Sequence, residues 1–146
     1  VYGRGETVQV QEVGAEDLTV LLPGTSIIRA IEKLPSVNIQ SADPFGNYEW
    51  STRVTIRSFN QNQLGFTLDG IPLGDMSYGN HNGLHISRAL IAENLGFAEV
   101  SQGSGALDTA SSSNLGGTVR FASRGPQAER GFTLAQTVGS DDTLRT

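Results

Sequence analysis

FTLDGIPLGDMSYGNHNGLHI, residues 66–86, begins as one kind of chain and ends as another. Phe66 to Leu68 has strand chemistry, and Asp69-Gly70 is a pair in which both residues tolerate positive φ, so a strand running into a tight turn is expected. Beyond the turn the aliphatic residues give way to Gly, Met, Tyr, Asn and His. That composition reads as a loop following a strand end.

The flanking sequence supplies the partners such a strand needs. Arg53 to Phe59 sets Val54 and Ile56 against Arg53, Thr55 and Arg57, which predicts one strand with an apolar face and a polar one. Val37 to Gln40, Ala98 to Gln102 and Gly117 to Ala122 also read as strands, as does Glu6 to Val13 through its alternating valines. Ile27, Ile31 and Leu34 stand at i, i+4 and i+7 behind Thr25 and Ser26, which predicts a capped helix ended by Pro35. Ala15 to Leu22 suits a short helical turn stopped by Pro23-Gly24, and Ile86 to Ala92 a second helix. Ser104 to Asn114 is a loop of small residues. The elements sum to an α+β domain, a small mixed β-sheet with short helices. Arg124-Gly125-Pro126 sets a tail apart, where Gly131 to Gly139 alternates Phe132, Leu134, Gln136 and Val138 with Thr133, Ala135 and Thr137. That pattern suits a sheet or barrel formed with further sequence.

A chain of 146 residues is enough for one domain. Its formal charge of −5 and a single lysine, Lys33, argue against a nucleic-acid backbone as partner. Cysteine is absent, which removes a disulfide framework and a thiolate zinc site. Apolar runs such as Leu18 to Leu22 fall far short of the ~20 residues of a spanning helix. With no initiator Met and no apolar leader, the chain reads as a mature protein or a piece of a longer one.

Catalytic motifs are missing. No serine has glycines in nucleophile-elbow positions, and Gly103-Ser104-Gly105 lacks the lysine of a phosphate loop. His81 and His85 have helical metal spacing, but Asn82 and Gly83 between them are poor helix formers and no glutamate accompanies them. Asp69 is accounted for by its turn and Asp75 by a solvated loop. No enzyme activity, metal or cofactor is expected. The loop Asp43 to Trp50 points instead to binding: Tyr48 and Trp50 offer broad amphipathic surfaces, and Asn47 and Glu49 directional hydrogen bonds. Phe45 and Trp50 serve equally well as a roof on the core, whereas Tyr48 and Glu49 are expected to be free.

Four segments in order resemble the plug domain of TonB-dependent outer-membrane receptors: IEKLPSVNIQ (31–40), VTIRSFNQ (54–61), LDGIPL (68–73) and AEVSQGSGAL (98–107) with NLGGTVRF (114–121). With their flanks they cover Leu18 to Ser123. Ser58 stands where that family has Gly, Gln102 replaces an Arg, and Asp108-Thr109 replaces Tyr-Gly. The resemblance implies a plug over residues 1–124 and, over 125–146, a linker and the first strand of a 22-stranded transmembrane barrel, largely missing here. It implies residence in the Gram-negative outer membrane, inside the barrel lumen. It also implies active import of a scarce or bulky solute such as a ferric siderophore, cobalamin or an oligosaccharide. The partners implied are the chain's own barrel, TonB with its inner-membrane complex, and the ligand. Tyr48, Glu49 and Trp50, with Tyr78, Asn80, His81 and Asn82, would form apical loops facing the ligand. Arg57 and Glu99 would pair with charged barrel residues. Glu6 to Val10 reads as the first plug strand or as the TonB box, which otherwise lies upstream of Val1. A stand-alone periplasmic or secreted binding module is the alternative, followed by an esterase-like or metal enzyme.

Overall fold

The computed structural model describes residues 10–74, 76, 83–103, 109–111, 114–140 and 142–146. In chain order these form β1 (Val10–Val13), α1 (Ala15–Leu18), a 3₁₀ turn (Ile27–Ile31), β2 (Val37–Gln40), β3 (Arg53–Ile56) and β4 (Phe59–Asn60). After a 3₁₀ turn at Gln61–Gln63 come β5 (Gly65–Leu68), β6 (Ile71–Gly74) and α2 (Ile86–Ala89). A third 3₁₀ turn, Ala92–Asn94, leads into β7 (Leu95–Ser101), β8 (Thr118–Ser123), β9 (Thr137–Val138) and β10 (Leu144–Arg145).

The main sheet has the order β1-β7-β8-β5-β6 and is antiparallel except between β5 and β8. Alternation along its strands turns Ala98, Val100, Val119, Phe121 and Phe66 into the core, all with no measurable exposure. A smaller antiparallel sheet, β2-β3-β4, contributes Ile39, Val54 and Ile56. Between the sheets lies the Ile27–Ile31 turn, with Ile27, Ile28 and Ile31 wholly buried. Apolar area removed from water by this one cluster is what holds the sheets together.

Local chemistry explains the turns. Asp69 and Gly70 both take positive φ, 51° and 81°, and close the β5–β6 hairpin as expected. The Asp69 carboxylate also accepts from Ser123 N–H and Ser123 Oγ, each at 2.8 Å, stitching the turn to the end of β8. Arg53 to Phe59 is not one strand: Arg57 and Ser58 both enter the left-handed region, at φ 49° and 68°, and fold β4 back on β3. Alternation continued across that bend, so a period-2 pattern alone concealed it.

The helix expected from Ile27, Ile31 and Leu34 is a 3₁₀ turn of five residues. Ser26 occupies its N-cap position but makes no side-chain cap; its N–H donates to Phe45 O at 2.8 Å. Burial of Ile27, Ile28 and Ile31 on more than one side, with Pro35 close behind, favours a short tight turn over an amphipathic helix. The Ile86–Ala92 helix likewise shortens to Ile86–Ala89 because Leu90 is extended. Gln102, buried, donates to Pro35 O at 3.3 Å and links the end of β7 to the segment before β2. In the tail, only Thr137–Val138 of the alternating segment is strand, paired with β10, and Phe132 is 89% exposed.

Candidate functional site

The loop between β2 and β3 is built around one carboxylate. Asp43-Pro44-Phe45-Gly46 closes a turn in which Gly46 N–H donates to Asp43 O at 3.3 Å, and Gly46 has φ 71°. The Asp43 side chain accepts from Ser41 Oγ at 2.7 Å and from the amides of Asn47 and Tyr48 at 2.9 and 3.0 Å. Partial burial works against ionisation, but these hydrogen bonds outweigh it and lower the carboxyl to about 2. Asp43 is therefore a carboxylate at any physiological pH, and its charge organises the loop.

Two further ties fix the loop to the core. Asn47 Nδ2 donates to Gly24 O at 2.6 Å, and Arg29 Nη2 reaches Asp43 O at 3.4 Å. Gly46 lies so close to Arg29 that an added Cβ would meet Arg29 Nε at 3.1 Å and Cγ at 3.2 Å. On this base Tyr48 and Trp50 stack, with ring centroids 6.2 Å apart and planes 18° from parallel. Both are about half exposed, and Phe45 is exposed as well, so neither Phe45 nor Trp50 roofs the core. The cleft beneath the loop, lined by Gly24, Ser26, Asn47, Ser87 and Leu90 among others, holds about 70 Å³. That is room for a few waters.

Glu49, expected to be free, is not. Its side chain is only 11% exposed and its carboxylate is in contact with the Arg88 guanidinium, which is 60% exposed. Close by, His85 is buried and caps α2: Nδ1 lies 2.7 Å from Ser87 Oγ and accepts from Ser87 N–H at 3.3 Å. Burial lowers the His85 pKa, opposed by the charge of Glu49 and reinforced by that of Arg88. His85 thus serves as the cap of α2, and nothing local in the chain signals Arg88 as the partner of Glu49. Asp43 was more accessible to sequence reasoning, since Asp-Pro-x-Gly is turn chemistry.

Tyr78, Asn80, His81 and Asn82 lie outside the described residues, as do Asp75, Ser104, Gly105 and Glu6 to Gln9. Among the described residues there is no group of three His, Cys, Asp or Glu able to hold a metal. No helix among them is long and apolar enough to cross a membrane. Arg57 sits on the exposed β3–β4 turn, its N–H donating to Ser36 O at 3.1 Å. Glu99 lies opposite Arg120 in the β7–β8 register and pairs with it at 3.0 Å, while the Arg120 guanidinium sits 5.4 Å from the Phe97 ring centre. The structure therefore keeps Arg57 and Glu99 on different sheets.

A family model described as the TonB-dependent receptor plug domain matches residues 4–118. Among solved structures, the siderophore receptor PirA of Acinetobacter baumannii is 22% identical with a TM-score of 0.63, over 84% of this chain and 18% of that one. The ferric enterobactin receptor PfeA, of Pseudomonas aeruginosa, is 21% identical with a TM-score of 0.60, over 85% and 18%. The FrpB iron transporter of Neisseria meningitidis is 15% identical with a TM-score of 0.56, over 80% and 16%. This chain thus spans under a fifth of each, and at these identities the likeness is one of fold. A search of curated proteins gives no match.

Proposed function

The chain belongs to the TonB-dependent receptor plug domain family, and from that premise we propose that it closes the barrel of an outer-membrane active transporter and supplies part of its ligand site. The partners would be the barrel continuing from residues 125–146 and TonB, which would drive the plug aside. The solute is a ferric siderophore, in keeping with the names of the structural neighbours: a siderophore receptor, a ferric enterobactin receptor and an iron transporter. Cobalamin and oligosaccharides are the other solutes to test.

The observation that carries this reading is the pinned loop. Asp43 and Arg29 hold its backbone, so the exposed Tyr48 and Trp50 rings are ordered before any ligand arrives and little entropy is lost on contact. Tyr78, Asn80, His81 and Asn82 would complete the apical surface. Arg57, solvent-facing, and the Glu99–Arg120 pair are proposed to face charged residues of the barrel wall and set the plug's register.

The test uses the intact receptor. Growth of a deletion strain on iron chelates, cobalamin and glycans identifies the solute, and Tyr48→Ala with Trp50→Ala is expected to weaken its binding by about tenfold to a hundredfold. Unchanged affinity in that double variant would refute the site, and a gene ending shortly after residue 146 would refute the transporter in favour of a free binding module.

A further inference from the structure

Between two outward-facing aromatic rings, Glu49 turns inward. Its carboxylate meets Arg88, 39 residues further on in α2. With four residues, α2 is too short to persist on backbone hydrogen bonds alone. The N–H groups of Arg88 and Ala89 donate to His85 O at 2.9 and 3.3 Å, and Leu90 N–H to Ile86 O at 3.0 Å. It is secured by the wholly buried Ile86, partial packing of Ala89 and Leu90 on the core, the imidazole cap from His85, and one ion pair from the aromatic loop. No other ion pair joins these two segments among the described residues.

We propose that the Glu49–Arg88 ion pair couples the Asp43–Trp50 loop to α2, so that the two segments order and open together and contact at Tyr48 and Trp50 is felt at α2. The inference rests on the reading of that loop as ligand-facing and adds how occupancy would be passed on. A largely buried carboxylate that loses its cation must turn outward to be hydrated. Glu49 lies between Tyr48 and Trp50 in the chain, so loss of its anchor leaves the backbone that carries the stacked rings free to shift. Conversely, α2 without Glu49 keeps its cap, the burial of Ile86 and the partial packing of Ala89 and Leu90. Elements of such low local stability are the ones that open first, and a coupling between two segments acts equally in both directions.

Amide hydrogen exchange on the intact receptor, with no ligand added, tests the coupling. Glu49→Gln is expected to speed exchange at the Arg88, Ala89 and Leu90 amides by about fivefold, and Arg88→Gln to speed it at Asn47 and Tyr48 by a similar factor. Combining Glu49→Arg with Arg88→Glu is expected to bring both segments back toward the parent rates. Changes confined to the substituted segment would overturn the proposal, as would a rise shared equally by β7 and β8, which would mark general loosening. Since no ligand takes part, such a failure leaves the assignment of the loop as a binding surface standing, and that assignment fails separately if Tyr48→Ala and Trp50→Ala do not weaken binding.

Discussion

Replacing Asp43 by Ala removes the acceptor of three hydrogen bonds, from Ser41 Oγ and from the Asn47 and Tyr48 amides. Hydrogen bonds to a charged group contribute about 1.5–3 kcal/mol each when buried, but these border water and the freed amides can be rehydrated, so we expect about 2 kcal/mol for the set. That is about a thirtyfold shift toward the open loop. Asp43→Asn keeps one acceptor oxygen and is expected to cost about half as much. Hydrogen exchange at Asn47 and Tyr48 in the intact receptor reads the effect directly, and ligand affinity is expected to fall in the same order, Asn before Ala. The sign of the pH dependence follows from the lowered carboxyl. Its contribution is fully present above 3.8, the unfolded value, and is lost as pH falls toward about 2. Loop order should therefore be level from neutrality to mild acid and decline only below that. Loop amides that exchange equally fast in all three proteins would refute the claim that Asp43 organises this surface.

Ser58, at φ 68°, occupies a conformation that glycine adopts without strain. Ser58→Gly is therefore expected to stabilise the β3–β4 hairpin by about 0.5–1 kcal/mol, seen as slower exchange at Thr55 and Asn60. Gly116→Ala should have the opposite effect, since the new methyl would sit 2.3 Å from Phe59 Cβ and 2.9 Å from Leu64 Cδ2. Overpacking of this kind costs about 1–3 kcal/mol, measurable as a lower urea midpoint for plug unfolding. His85, neutral and buried, has its pKa lowered below the usual 6.5, so its contribution is present above that pH and declines as the medium acidifies below it. Exchange at Arg88 and Ala89, corrected for the intrinsic rate, should rise between neutral and mildly acidic pH. His85→Asn, which keeps an acceptor and does not titrate, should flatten that profile.

Features that depend on a few adjacent residues are legible before the chain is folded. Asp69-Gly70 tolerates positive φ at both positions and so specified the hairpin, while short alternating runs specified β2, β5, β7 and β8 to within a few residues. Four motifs in order were enough for the family, and the aromatic loop was visible from its composition. Features that depend on a distant partner emerge only on folding. The Arg57-Ser58 bend is invisible to alternation because β4 pairs back only where the core accepts it, and Ile27 to Ile31 tightens into a 3₁₀ turn because it is buried between two sheets. The parallel pairing of β5 with β8 and the meeting of Glu49 with Arg88 join segments far apart in the chain. No local propensity encodes such choices: they are settled when the closed core brings segments far apart in the chain within reach of one another.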